Sequence, residues 1–206
     1  MNELVDDLFN LHLKVLQQIL IGTDYTIIKK IFGDEFIKLN YEDFIINKAH
    51  RLTFDGNNQL IGAYPVSPIP NDFKVSVEGI GAGYAMCAVD ALGIAYTFMQ
   101  VTIIETKDQG TGKSISLRIN PYADDIENEE VLLTYPSQGY DSLRELVAEN
   151  TQLATSSCPN ILFYSKNHLP KNNQLSVLSF KRGLEEAIAI FSQQAMKDHF
   201  RISLIQ

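Results

Sequence analysis

Residues 81–96 read GAGYAMCAVDALGIAY. Small residues come first. An apolar run follows, and one carboxylate interrupts it: Asp90, three positions after Cys87, the first of the chain's two cysteines. Ala and Leu are strong helix formers, and a helix that is apolar all round is a buried one. The stretch therefore predicts a buried helix over about residues 84–96. At positions i and i+3 the thiol and the carboxyl share one face of it. Ala82, Gly83, Ala85, Ala88 and Ala91 leave room beside that face for close packing or for a ligand.

A buried helix needs covering layers, and the flanking sequence provides them. Upstream, FKVSVEG (73–79) alternates as a strand, and YPVSPIPND (64–72) is a Pro-rich crossing that marks a domain boundary. Before it, Leu4, Leu8, Leu11, Val15 and Ile19 recur at helical spacing, predicting a helix over 3–21 that Gly22 ends. Thr23 or Asp24 caps a second helix, YTIIKKIF, ended by Gly33, and a third spans about 41–50. RLTFDGNNQLIGAYP then reads as two short strands around Asp55-Gly56. Three helices and a hairpin suggest a winged-helix-like module over residues 1–64. Downstream of the buried helix come strands near 99–105, 113–119 and 130–135. A short helix near 141–148 follows, capped by Asp141, then a strand just after Cys158 and a final helix from about Ser176 to His199. Helices and strands are mixed, not alternating, so the expected class is α+β, with residues 65–206 forming the second domain.

Charge narrows the function. The chain has 17 Lys/Arg against 25 Asp/Glu, a formal net charge of −8. Residues 1–64 alone hold 6 basic against 9 acidic residues. DNA affinity rests on cationic contacts to phosphate, so neither nucleic acid nor an anionic membrane is an expected partner. The N-terminus has no basic region ahead of an apolar one, and no apolar run reaches the length of a membrane span, so the cytoplasm is the expected compartment. Two cysteines 71 positions apart make no disulfide framework.

Other motifs fall away. DQGTGKSIS ends in Gly-Lys-Ser, but a phosphate loop needs glycine where Lys107 stands. His12, His50, His168 and His199 lack metal-ligand spacing, and no nucleophile-elbow pattern occurs. Cys87, Asp90 and Cys158 remain. Asp90 among apolar neighbours is expensive to bury unless paired or protonated, and desolvation would keep its proton available for donation. Cys158 lies in SSCPN, a polar turn that can present a thiol. The plainer alternatives are two cysteines that merely fill the core and an aspartate that faces solvent.

YAMCAVDALG resembles the signature of the organomercurial (alkylmercury) lyases. The domain order, the hairpin GNNQLIG and a later cysteine before an aromatic strand end, SCPNILFYS, are similar to that family as well. The resemblance implies protonolysis of a carbon–mercury bond, giving a hydrocarbon and Hg²⁺. In it, Cys87 and Cys158 ligate mercury. Asp90 contacts the metal site, takes a thiol proton and delivers a proton to the leaving carbon. Thiolate is the soft ligand that suits such a metal. The resemblance also implies no organic cofactor, an organometal substrate, and external small thiols that carry Hg²⁺ away. The chain departs from the family pattern in lacking a further cysteine between the two, and in having Tyr164 at the strand end. The alternative is a non-catalytic soft-metal or organometal binding or sensing protein using the same thiols. Asp90 weighs for the enzyme, because metal binding alone needs no general acid.

Overall fold

The computed structural model describes residues 1–123, 128–136, 158–171 and 174–205. The helix expected near 141–148 lies outside them. Helix α1 (Asn2–Leu20) buries Leu8, Leu11, Val15 and Ile19 of the expected stripe together with Val5 and Leu16, whereas Leu4 is exposed. Gly22 follows with φ +83°. Helix α2 (Tyr25–Ile31) is capped by Asp24, whose carboxylate accepts from the Thr26 amide at 2.7 Å. Gly33 does not simply end α2. It opens α3 (Gly33–Lys38), and the helix expected at 41–50 forms over 41–48, most of it, Asp43–Lys48, wound as a π-helix.

The hairpin forms as expected: β1 (Leu52–Phe54) pairs antiparallel with β2 (Leu60–Ala63). Asp55 closes the turn by accepting from the amides of Asn57 and Gln59. Strands β3 (Val66–Ser67), β4 (Lys74–Val77), β5 (Gly81–Ala85), β6 (Thr102–Lys107) and β7 (Ser114–Ile119) extend the same sheet in the order β1-β2-β3-β5-β4-β6-β7. In β6 burial alternates residue by residue, Thr102, Ile104 and Thr106 inward, as one covered face requires. A smaller antiparallel sheet has β8 (Val131–Pro136) between β9 (Phe163–Ser165) and β10 (Leu175–Ser179). The architecture is α+β. No helix among the described residues is long and apolar enough to cross a membrane.

Helix α4 (Ala88–Phe98) is buried along its whole length. The large sheet covers one side and α5 (Phe180–Phe191) the other. Gly93 permits that contact: a Cβ there would sit 2.4 Å from the Phe191 ring. The start of α4 differs from the sequence expectation. Helix was expected from about residue 84, but Tyr84 and Ala85 close strand β5, held by pairing with β3 and β4, and α4 starts only at Ala88; in the same strand Gly83 runs against the Leu20 carbonyl oxygen, 2.0 Å from where a Cβ would stand. The single C-terminal helix expected from Ser176 is also corrected. Residues 175–179 pair with β8, Ser179 caps α5, and Ser192 turns the backbone extended (ψ 151°) before α6 (Gln193–Ser203).

The N-terminal helices meet α6 around His12. Its Nδ1 lies 2.7 Å from the Tyr41 hydroxyl, and its ring packs on Phe200. Burial lowers the His12 pKa from 6.5 to about 3. The unfolded chain takes up this proton near pH 6.5 and the folded chain only near 3, so the stability from neutral His12 is present above pH 6.5 and lost as pH falls towards 3. His12→Gln, which removes the titrating group, is therefore expected to gain stability relative to wild type as pH falls from 6.5 to 4. The change is on the order of a few kcal/mol. Thermal midpoints of both proteins across that range test it; a constant difference would mean that His12 titrates normally.

Candidate active site

Cys87 is the residue just before α4, in extended backbone (φ −160°, ψ −172°), and Asp90 lies in the first helical turn. The thiol therefore occupies the N-cap position, with the carboxyl three residues on. That is the spacing at which a cap side chain and an acid reach each other across a helix start. The Cys87 thiol donates to Asp90 Oδ2 at 2.6 Å. The two do meet, but through the helix entrance and not along a helical face.

Cys158 arrives from the opposite direction. It opens a single 3₁₀ turn, Cys158–Asn160, just before β9. The Ala88 amide, at the start of α4, donates to the Ile161 carbonyl at 3.0 Å, which ties this turn to the helix that follows Cys87. Asp108 anchors the strand beyond it, accepting from the amide and hydroxyl of Ser165 and from the Gly110 amide. As a result the ligand atoms of Cys87, Asp90 and Cys158 all lie within 4.8 Å of one another, and all three residues are buried. Cys158 also lines an open cavity of about 320 Å³, with Asn71, Phe73, Met86, Gln109 and Leu162 around it. Cys87 is fully buried behind it. A ligand entering by this cavity meets Cys158 first.

Burial dominates the electrostatics. It raises the Asp90 pKa from 3.8 to about 7, although the Cys87 thiol and the charge of Arg51 pull the other way. Near neutrality Asp90 therefore holds its proton for a large part of the time, as a general acid requires. Burial also pushes the Cys87 thiol well up, reinforced by hydrogen bonding to Cys158 and by the Asp90 charge. Two groups not singled out from the sequence adjoin the cluster. The Tyr64 hydroxyl is 4.0 Å from Cys158 Sγ, and Arg51 is buried within electrostatic reach of Asp90. The Tyr64 amide donates to the Arg51 carbonyl, so one hairpin places both. Neither carries a motif: a lone arginine and a lone tyrosine in a hairpin have no spacing signal.

The family model for MerB, alkylmercury lyase, matches residues 66–170, half of the chain, and that span contains all three cluster residues. The chain belongs to the alkylmercury lyase family. It is an enzyme of that type, built on the family's α+β fold. Among solved structures, the mercury-bound form of MerB2 superposes with a TM-score of 0.59 at 16% identity, over 97% of this chain and 100% of that one. At that identity the likeness speaks for the fold. No curated protein matches the chain. Arg51 and Tyr64 both precede the residues that the family model matches.

Proposed function

We propose that this alkylmercury lyase family member converts organomercurials into a hydrocarbon and Hg²⁺, with Cys87 and Cys158 as mercury ligands and Asp90 as the proton carrier. The observation that supports it most is the convergence of two thiols and a carboxyl with a raised pKa inside 4.8 Å, with Cys158 lining an open cavity. Residues 1–64 are read as a module that walls this site and residues 65–206 as the catalytic part.

The reaction balances without redox chemistry. R–Hg⁺ enters on Cys158, then takes Cys87 as a second ligand. The Cys158 thiol releases its proton to solvent as its sulfur binds the metal, and the Cys87 proton passes to Asp90 in its ionised form, 2.6 Å from Cys87 Sγ. Two thiolates push electron density towards mercury and make the bound carbon more basic. The Asp90 proton then passes to that carbon while the carbon–mercury bond breaks. The bonding pair leaves with carbon, so the metal remains Hg²⁺ on two thiolates. Holding acid and metal-bound carbon together makes the step intramolecular. Asp90 is left as a carboxylate, and small thiols in solution exchange the Hg²⁺ off the protein, as suits a reducing cytoplasm.

The test is purified protein with excess small thiol and methyl- or phenylmercury, following hydrocarbon and Hg²⁺ in parallel. Equal release of both is expected. Tight one-to-one binding with no hydrocarbon would replace this reading with an organometal-binding protein.

A further inference from the structure

We infer that Arg51 is the fixed counter-charge of the mercury site and the reason both buried cysteines can ligate the metal at once. The inference rests on the roles proposed above for Cys87, Cys158 and Asp90.

Formal charge shows the need. Before cleavage the site holds one positive charge on R–Hg, two negative thiolates and a neutral Asp90, which leaves one negative charge. After cleavage it holds Hg²⁺, the same two thiolates and an ionised Asp90, which again leaves one negative charge. The excess never disappears; it moves from sulfur to the carboxylate. An uncompensated charge inside a protein is strongly unfavourable even after relaxation. A stationary cation nearby offsets it at every stage and needs no rearrangement during reaction.

Arg51 meets these requirements. Its side chain is buried, 6% exposed, and its Nε has no hydrogen-bond partner; nor has Asp90 Oδ1. Its backbone carbonyl is held by the Tyr64 amide at 3.1 Å. Its guanidinium lies 5.9 Å from the centre of the Phe191 ring, and that ring packs on Gly93, one turn beyond Asp90. Hairpin and α5 thus hold the cation beside the first turn of α4. Burial lowers its pKa only to about 10, so it stays charged at neutral pH. The other groups that feel it are Tyr64, His12 and His199. Burial lowers the two histidines to about 3 and about 4, so neither is a competing cation. Arg51 and Asp90 attract through space and not through a hydrogen bond, which leaves Asp90 able to carry its proton.

The consequence is specific. With the cation removed, the favoured complex is the one-thiolate adduct, which is neutral. R51M preserves the length of the side chain and its apolar packing on Phe191; R51K preserves the charge. In the full chain with phenylmercury, R51M is expected to lose about 10²-fold in kcat, the scale of a missing preorganised charge. R51K should recover most of that loss. A second readout needs no turnover. In an Asp90→Asn background loaded with phenylmercury, X-ray absorption at the mercury edge should report two sulfur ligands when Arg51 is present and one when it is replaced by methionine. If R51M does not fold, R51Q serves for both measurements. Two sulfurs in both proteins, or equal losses in R51M and R51K, would overturn the counter-charge role. Wild-type protein that releases no hydrocarbon would instead sink the lyase reading, which separates the two failures.

Discussion

Cys87→Ser and Cys158→Ser should each leave no measurable hydrocarbon release from phenylmercury. A serine hydroxyl is a hard donor that stays protonated at neutral pH, so it cannot replace a thiolate on a soft metal. A single remaining thiol gives an R–Hg–S adduct like those formed with thiols in solution, without the second sulfur that loads electron density onto mercury. Because the two sulfurs act as a unit, the double substitution should be no worse than either single one. The two variants should nevertheless bind differently. Cys158 lines the entrance cavity while Cys87 is fully buried, so Cys87→Ser should capture phenylmercury quickly and one-to-one, and Cys158→Ser slowly. Loss of the fold is not the expected cause, since serine is a favoured N-cap residue at position 87 and can donate to Asp90 as the thiol does. Benzene release, retained mercury per chain and the near-ultraviolet dichroism of each variant test all of this. A fully active single variant would end the two-thiolate mechanism.

Much of the scaffold around these cysteines was readable from local pattern. The stripe of α1, the Asp24 cap, the Asp55 turn and the alternation of β6 each follow from a spacing confined to a few residues. Failures arose where distant contacts overrode spacing. Residues 84 and 85 fall in the span expected as helix, yet they close strand β5 because β3 and β4 pair with them. Residues 175–179 look continuous with a helix, yet β8 claims them as a partner. The pairing of Cys87 with Asp90 survived an incorrect geometry, since positions i and i+3 are neighbours at a helix entrance as well as on a helix face. The approach of Cys158 depends on the β8–β9 pairing and the Asp108 anchor, 50 residues before it in sequence, and no local signal encodes that. Arg51 and Tyr64 reach the site from the hairpin for the same non-local reason.

Asp90→Asn should separate chemistry from stability in opposite directions. Without a transferable proton, cleavage is expected to slow by about 10²–10⁴-fold, the range of a general-acid contribution, while both thiols still bind the organomercurial. The fold should respond the other way. In the folded protein the Asp90 pKa is raised from 3.8 to about 7, so the native state holds this proton more tightly than the unfolded chain does. The stability gained that way is present below pH 3.8 and is lost as pH rises through about 7, where the interior must hold a carboxylate. Asparagine has no charge to desolvate, and its carbonyl can still accept the Cys87 thiol. Above pH 7 the variant should therefore melt higher than wild type, by an amount on the order of a few kcal/mol, with the difference shrinking towards pH 4. Melting curves from pH 4 to 8, read beside single-turnover cleavage, measure both effects on one protein. Undiminished cleavage would mean that the proton comes from elsewhere. A variant less stable than wild type at pH 8 would mean that Arg51 more than repays the burial of the carboxylate. A slower but more stable variant is the outcome expected of an acid retained for its chemistry at a cost to the fold.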